Sequence, residues 1–152
     1  MTALPPGFLN RPFAHRALHD GVRPENSLSA VRAAVEAGYG IEVDVQPSAD
    51  GIAMVFHDET LDRMTALTGP VASRTADVLK TVPLKDTHDT IPTLSDVLAA
   101  VGGRVPLVIE VKDQPGALGP QVGPLEAAVA RQVEGYSGPL AVMSFSPFSV
   151  AK

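Results

Sequence analysis

Four short motifs in this 152-residue chain carry residue types capable of chemistry: His15-Arg16, Glu42-Val43-Asp44, His57-Asp58 and Glu110-Val111-Lys112. Histidines titrate near neutrality, so His15 and His57 could serve as a paired general base and acid. An arginine beside one of them can orient an anion, with its guanidinium on phosphate oxygens. Glu42, Asp44 and Glu110 form an all-oxygen set suited to a hard cation such as Mg²⁺ or Ca²⁺. Zinc, which favours nitrogen and sulfur ligands, is a poorer match. Lys112 is either a salt-bridge partner of Glu110 or a positive charge offered to a transition state. His19 and His88 lie in Asp-rich, turn-like stretches and read as surface residues.

These motifs fall at the ends or in the middle of candidate strands: Phe13–Arg16, Ile41–Gln46, Ile52–His57, Val105–Lys112 and Leu140–Phe145. Helical patterns separate most of them, which implies βα units and a largely parallel sheet. Asn26 or Ser27 can cap a helix bearing Leu28, Val31 and Val35, with Gly38 closing it. Thr93 and Asp96 resemble a capping box ahead of Leu94, Val97, Leu98 and Val101. Pro124 opens a third helix, and a weaker turn lies around 75–80.

Only 47–51 separate the second and third strands, too short a link for a parallel crossover, and Asp50-Gly51 is a strong hairpin signal. A two-residue loop there would place Asp44 opposite His57, with Cβ atoms about 5 Å apart. Glu42 would share that face, roughly 7 Å along the strand. Strands with solvated acids offer a blander account. Against it, both acid-bearing strands alternate charge with β-branched or aliphatic residues, and charges on a buried parallel sheet are costly unless paired or bound to metal.

The composition narrows the classes. Twelve Lys+Arg against 17 Asp+Glu give a net charge of −5, and the pI near 5.2 offers no electrostatic reason to expect nucleic acid or an anionic membrane as partner. The absence of cysteine excludes a disulfide scaffold, a thiol nucleophile and thiolate metal sites. With aromatics at 5% and no Trp, the core must be aliphatic. The N-terminus has no targeting pattern, and no stretch approaches the roughly 20 apolar residues of a membrane span. A cytoplasmic location is the default expectation.

Taken in order, His15-Arg16, Pro24-Glu25-Asn26-Ser27, Glu42-Val43-Asp44-Val45, Asp50-Gly51, His57-Asp58, Arg63-Met64-Thr65, Ile91-Pro92-Thr93-Leu94 and Ile109-Glu110-Val111-Lys112 resemble the glycerophosphodiester phosphodiesterase family. The resemblance implies a TIM-type (β/α)8 barrel, with a β-hairpin in place of the helix between the second and third strands. It implies one divalent cation, Mg²⁺ or Ca²⁺, on Glu42, Asp44 and Glu110, with His15 and His57 as the acid–base pair. Arg16 and Lys112 would contact the phosphoryl group, and Glu25 and Asn26 would lie near the rim. The implied reaction converts a small-molecule glycerophosphodiester and water into glycerol 3-phosphate and an alcohol, through a cyclic phosphate or by direct attack of water. Alternatives are a phospholipase D-like activity on lysolipids and a catalytically inactive fragment.

Two departures stand out. The family usually has Gly after His-Arg, where this chain has Ala17, so a loop needing positive φ would feel the added Cβ. A full barrel takes about 250 residues. The expectation is therefore a single phosphodiesterase-like domain over 1–152, truncated at its C-terminus, with about five strands. Its sheet edges would be open, and a homo-oligomer is one way to cover them.

Overall fold

Ser27 starts the first helix of the computed structural model, which describes residues 4–114 and 122–151. Its hydroxyl accepts the Ala30 N–H at 3.1 Å, and Gly38 at φ 75° ends the helix in the left-handed region that glycine tolerates. This helix, α1 (Leu28–Ala37), follows a short strand, β1 (Phe13–Ala14), and leads into β2 (Gly40–Pro47). A Cβ at Gly40 would lie 2.6 Å from the Phe13 ring, so the absence of a side chain there lets β1 seat against β2. Then come β3 (Ala53–Val55), the single turn α2 (Ala76–Leu79), α3 (Leu94–Val101), β4 (Leu107–Val111), α4 (Pro124–Val133), β5 (Leu140–Met143) and α5 (Pro147–Val150). The expected capping box of α3 is formed by Thr93 and Asp96, and Pro124 opens α4.

Strands β1, β2, β4 and β5 lie side by side in that order, all parallel. Four parallel strands are half of the eight in a closed (β/α)8 barrel. Strand β3 runs antiparallel to β2, as the short link requires. One edge of β2 is taken by β4 from Ile41 to Val45, so β1 and β3 share the other: β1 pairs at Gly40–Ile41 and β3 at Val45–Pro47.

The hairpin register corrects the expectation by one residue. Val45 faces Val55 and Gln46 faces Met54, so Asp44 comes opposite Phe56 and not His57. The loop holds three residues between Ser48 and Ile52. The Gly51 N–H returns to Ser48 O at 3.1 Å, and Gly51 takes φ 76° as the additional residue. Because β3 ends at Val55, His57 leaves the ladder, and strand alternation no longer governs its direction.

The side chains of β2 and β4 divide as their alternation predicts. Ile41, Val43, Val45, Leu107, Ile109 and Val111 face the helices and build the main core with Val31, Leu94, Val97 and Leu125. A second core lies under the segment after β3, made of Met54, Phe56, Leu61, Val71, Leu79, Val82, Leu84 and Ile91. Among the described residues, no helix is long and apolar enough to cross a membrane.

Candidate active site

Neighbouring strands bring the three acids together. The parallel register sets Asp44 beside Glu110, and Glu42 lies two residues before Asp44 on the same face. One carboxylate oxygen from each lies within 4.8 Å of the others, and the group could hold a metal ion. Asp44 is fully buried, and the Glu42 side chain is only 12% exposed. Two cations face this cluster. The Lys112 ammonium sits 2.8 Å from Asp44 Oδ1 and 2.6 Å from Glu110 Oε1, and the Arg16 Nε lies 3.7 Å from Asp44 Oδ2. Burial alone would push the Lys112 ammonium down, but the two carboxylates overcome that and hold its pKa above the usual value. Three acids against two cations leave an excess negative charge in a nearly dry site.

Glu42 bears the consequence. Burial pushes its carboxyl up, and the charges of Asp44 and Glu110 push the same way, against the Arg16 N–H that donates to Oε2 at 2.9 Å. Its other oxygen, Oε1, is buried without a hydrogen-bond partner among the described residues. An orphaned acceptor beside two further carboxylates fits a hard, oxygen-seeking cation. The sign follows from linkage: the unfolded side chain ionises near 4.5 and the folded one higher, so stability is lost as pH rises through that window. Glu42→Gln is therefore expected to raise the cation-free melting temperature at pH 7. The gain should vanish below pH 4.5, which thermal melts at both pH values will check.

The β1 loop is pinned to β2 by consecutive left-handed residues. Arg16 and Ala17 have φ 54° and 63°, and the Ala17 N–H donates to Glu42 O at 3.0 Å while the Arg16 N–H reaches the Glu42 carboxylate. The position flagged in the sequence does adopt positive φ, with an alanine bearing the strain. Next along that edge of β2, the Phe56 N–H donates to Asp44 O at 3.0 Å. The two histidine segments thus attach to successive carbonyls of one strand edge.

His15 is exposed at the rim, its Nε2 4.0 Å from Glu42 Oε2. His57 is partly buried; its Nδ1 lies 2.7 Å from Asp58 Oδ1, and its carbonyl accepts the Gln46 amide at 3.0 Å. His19 and His88 are exposed, as read from their surroundings. Asp58 is joined to the β1 loop through Arg63, Glu25 and Arg16.

Three side chains support the site: Asn26, which the resemblance places near the rim, Arg63, which falls in one of its motifs, and Gln46, which none of the motifs includes. Asn26 was a candidate helix cap; instead it sits at φ 59°, 2% exposed, and donates its amide to Asp44 Oδ2 at 2.9 Å while accepting the Asp44 N–H at 3.3 Å. Gln46 holds the His57 backbone, and Arg63 bridges Asp58 and Glu25. The available signal for Gln46 was its spacing, one strand repeat beyond Glu42 and Asp44. Asn26→Ala is expected to cost about 2–4 kcal/mol, from a lost charge-assisted hydrogen bond and an alanine in the left-handed region. Urea unfolding will measure it, and Asn26→Gly, which relieves the backbone but not Asp44, should recover only part.

A parallel α/β sheet presenting buried acids, paired cations and two histidines at its strand ends defines a polar, cation-competent site of the barrel-enzyme type. The chain belongs to the glycerophosphoryl diester phosphodiesterase family, whose model matches residues 15–150. It is 40% identical over 107 residues to a glycerophosphodiester phosphodiesterase of Caldanaerobacter subterraneus subsp. tengcongensis, an alignment covering 65% of this chain and 44% of that protein. Among solved structures, an Oleispira antarctica phosphodiesterase in complex with the product sn-glycerol-3-phosphate superposes with a TM-score of 0.82 at 27% identity, over 95% of this chain and 62% of that one. The glycerophosphodiester phosphodiesterase of Agrobacterium tumefaciens gives 0.75 at 32% identity, over 90% and 57%. The chain therefore spans under half the length of the Caldanaerobacter relative and about three-fifths of these two structures. Its sheet is the matching part of such a barrel.

Proposed function

We propose that this chain carries the metal-dependent phosphodiesterase site of its family and hydrolyses glycerophosphodiesters to glycerol 3-phosphate and an alcohol. The single observation that carries the proposal is the buried group of Glu42, Asp44 and Glu110, with one orphaned carboxylate oxygen and two cations against it. These residues would hold one divalent cation, Mg²⁺ or Ca²⁺, which when bound supplies Lewis-acid polarisation of a phosphate oxygen. Arg16 and Lys112 offer donors to the remaining phosphoryl oxygens. Of the two histidines, one accepts the proton of the attacking hydroxyl or water and the other protonates the leaving alkoxide. His57 is suited to the base role because Asp58 engages its Nδ1 and leaves Nε2 to act. The compound bound to the Oleispira relative agrees with this substrate class. A cytoplasmic setting is part of the same reading.

The test is release of glycerol 3-phosphate from glycerophosphocholine by the purified chain, with EDTA and then Mg²⁺ or Ca²⁺ restored. Release that EDTA stops and one cation restores is the expected result. No release, with cation binding intact, would favour a non-catalytic binding role for this length of chain.

A further inference from the structure

We infer that Arg63 is a positioning residue for His57: its guanidinium forks onto Asp58 on one side and Glu25 on the other, fixing the imidazole tautomer and tying the two histidine segments together. The inference deepens the proposed function and rests on its acid–base reading of His57. Arg63 Nε and Nη2 donate to the two Asp58 oxygens at 2.7 and 3.0 Å, a side-on fork. Its Nη1 and Nη2 donate to Glu25 at 3.2 and 2.5 Å. Glu25 in turn accepts from Arg16 Nη1 at 3.3 Å, and Arg16 carries the backbone N–H that holds Glu42. A continuous line of contacts therefore runs from the His57 ring to the backbone beside His15.

The chemistry of Asp58 makes this more than a surface ion pair. Arg63, with His57 assisting, holds the Asp58 carboxyl down to about 2, so it is ionised wherever a histidine can act. An ionised carboxylate only accepts hydrogen bonds, so the 2.7 Å contact requires a proton on His57 Nδ1. The neutral ring then exposes an unprotonated Nε2, whereas free histidine favours the opposite tautomer. Burial opposes the ionisation of Glu25, but Arg63 and Arg16 reverse that and keep its pKa low. With 46% of its side chain exposed, Arg63 adds little to stability as an ion pair. Its contribution is geometric: a planar fork engages two carboxylates at once, as the point charge of lysine cannot.

The test is long-range ¹H–¹⁵N spectroscopy of the histidine-labelled chain at a pH where the rings are neutral. The wild type is expected to show His57 in the Nδ1–H form. Arg63→Gln and Arg63→Lys should both convert it to a mixture containing the Nε2–H form, as should Asp58→Ala, with His19 and His88 unchanged as references. A wild-type His57 in the Nε2–H form, or a tautomer indifferent to either Arg63 substitution, overturns the inference. Arg63→Lys keeps the charge, so it stands in if Arg63→Gln does not fold. In the hydrolysis assay both variants should lose kcat by roughly 10- to 100-fold with KM little changed, part of what positioned proton transfer supplies. Absence of wild-type hydrolysis would count against the proposed reaction while leaving the tautomer result standing.

Discussion

Asp44→Asn is expected to weaken Mg²⁺ or Ca²⁺ binding by at least about 100-fold and to reduce phosphodiester turnover below detection, with the fold retained. Asp44 stands between Glu42 and Glu110 and is fully buried, so no water can replace its charge toward a cation. Asparagine keeps the volume and can still accept the Asn26 amide, which makes it a cleaner probe than alanine. Alanine would remove the acceptor and the volume as well as the charge, leaving the buried Asn26 amide without its partner. Calorimetric titration with each cation will read the binding, and circular dichroism the fold. Wild-type affinity in Asp44→Asn would remove this residue from the ligand set.

His57→Ala is expected to lower turnover by about 10²–10⁴-fold while cation affinity stays within a few-fold of wild type. The contacts of His57 explain the separation: its ring engages Asp58 and its carbonyl is held by Gln46, while the three acids are held by Asn26, Arg16 and Lys112. One limb of the pH–rate profile should disappear with the ring. Equal loss of cation binding and turnover would mean that His57 acts by shaping the acidic cluster, and not by moving a proton.

The acids were legible because two strands repeat the same alternation of charged and aliphatic residues, and a parallel sheet then permits few arrangements of Glu42, Asp44 and Glu110. The placement of His57 was less legible. Asp50-Gly51 announces a hairpin, but the loop is held by one near and one distant contact: Asp50 Oδ1 accepts the Ser48 hydroxyl at 2.7 Å and the Ala76 N–H, 26 residues on, at 2.8 Å. Those bonds favour a three-residue loop and shift the register by one. The contact of Asn26 with Asp44 was hidden for a related reason. Asn and Ser are both good helix caps, and only the fold reveals that Ser27 takes the cap while Asn26 turns back to β2. Arg63 falls in a motif of the resemblance, but its two partners are five and 38 residues away, so its bridging contacts left no local sign.

The second core after β3 gives the molecule an uneven resilience. Leu61, Leu79 and Ile91 are fully buried, yet they pack with one another and with Met54 and Phe56, apart from the residues that join the sheet to its helices. The lobe bearing His57 and Arg63 is thus a candidate unit of partial opening, able to come loose and reseal while β2, β4 and their acids hold their shape.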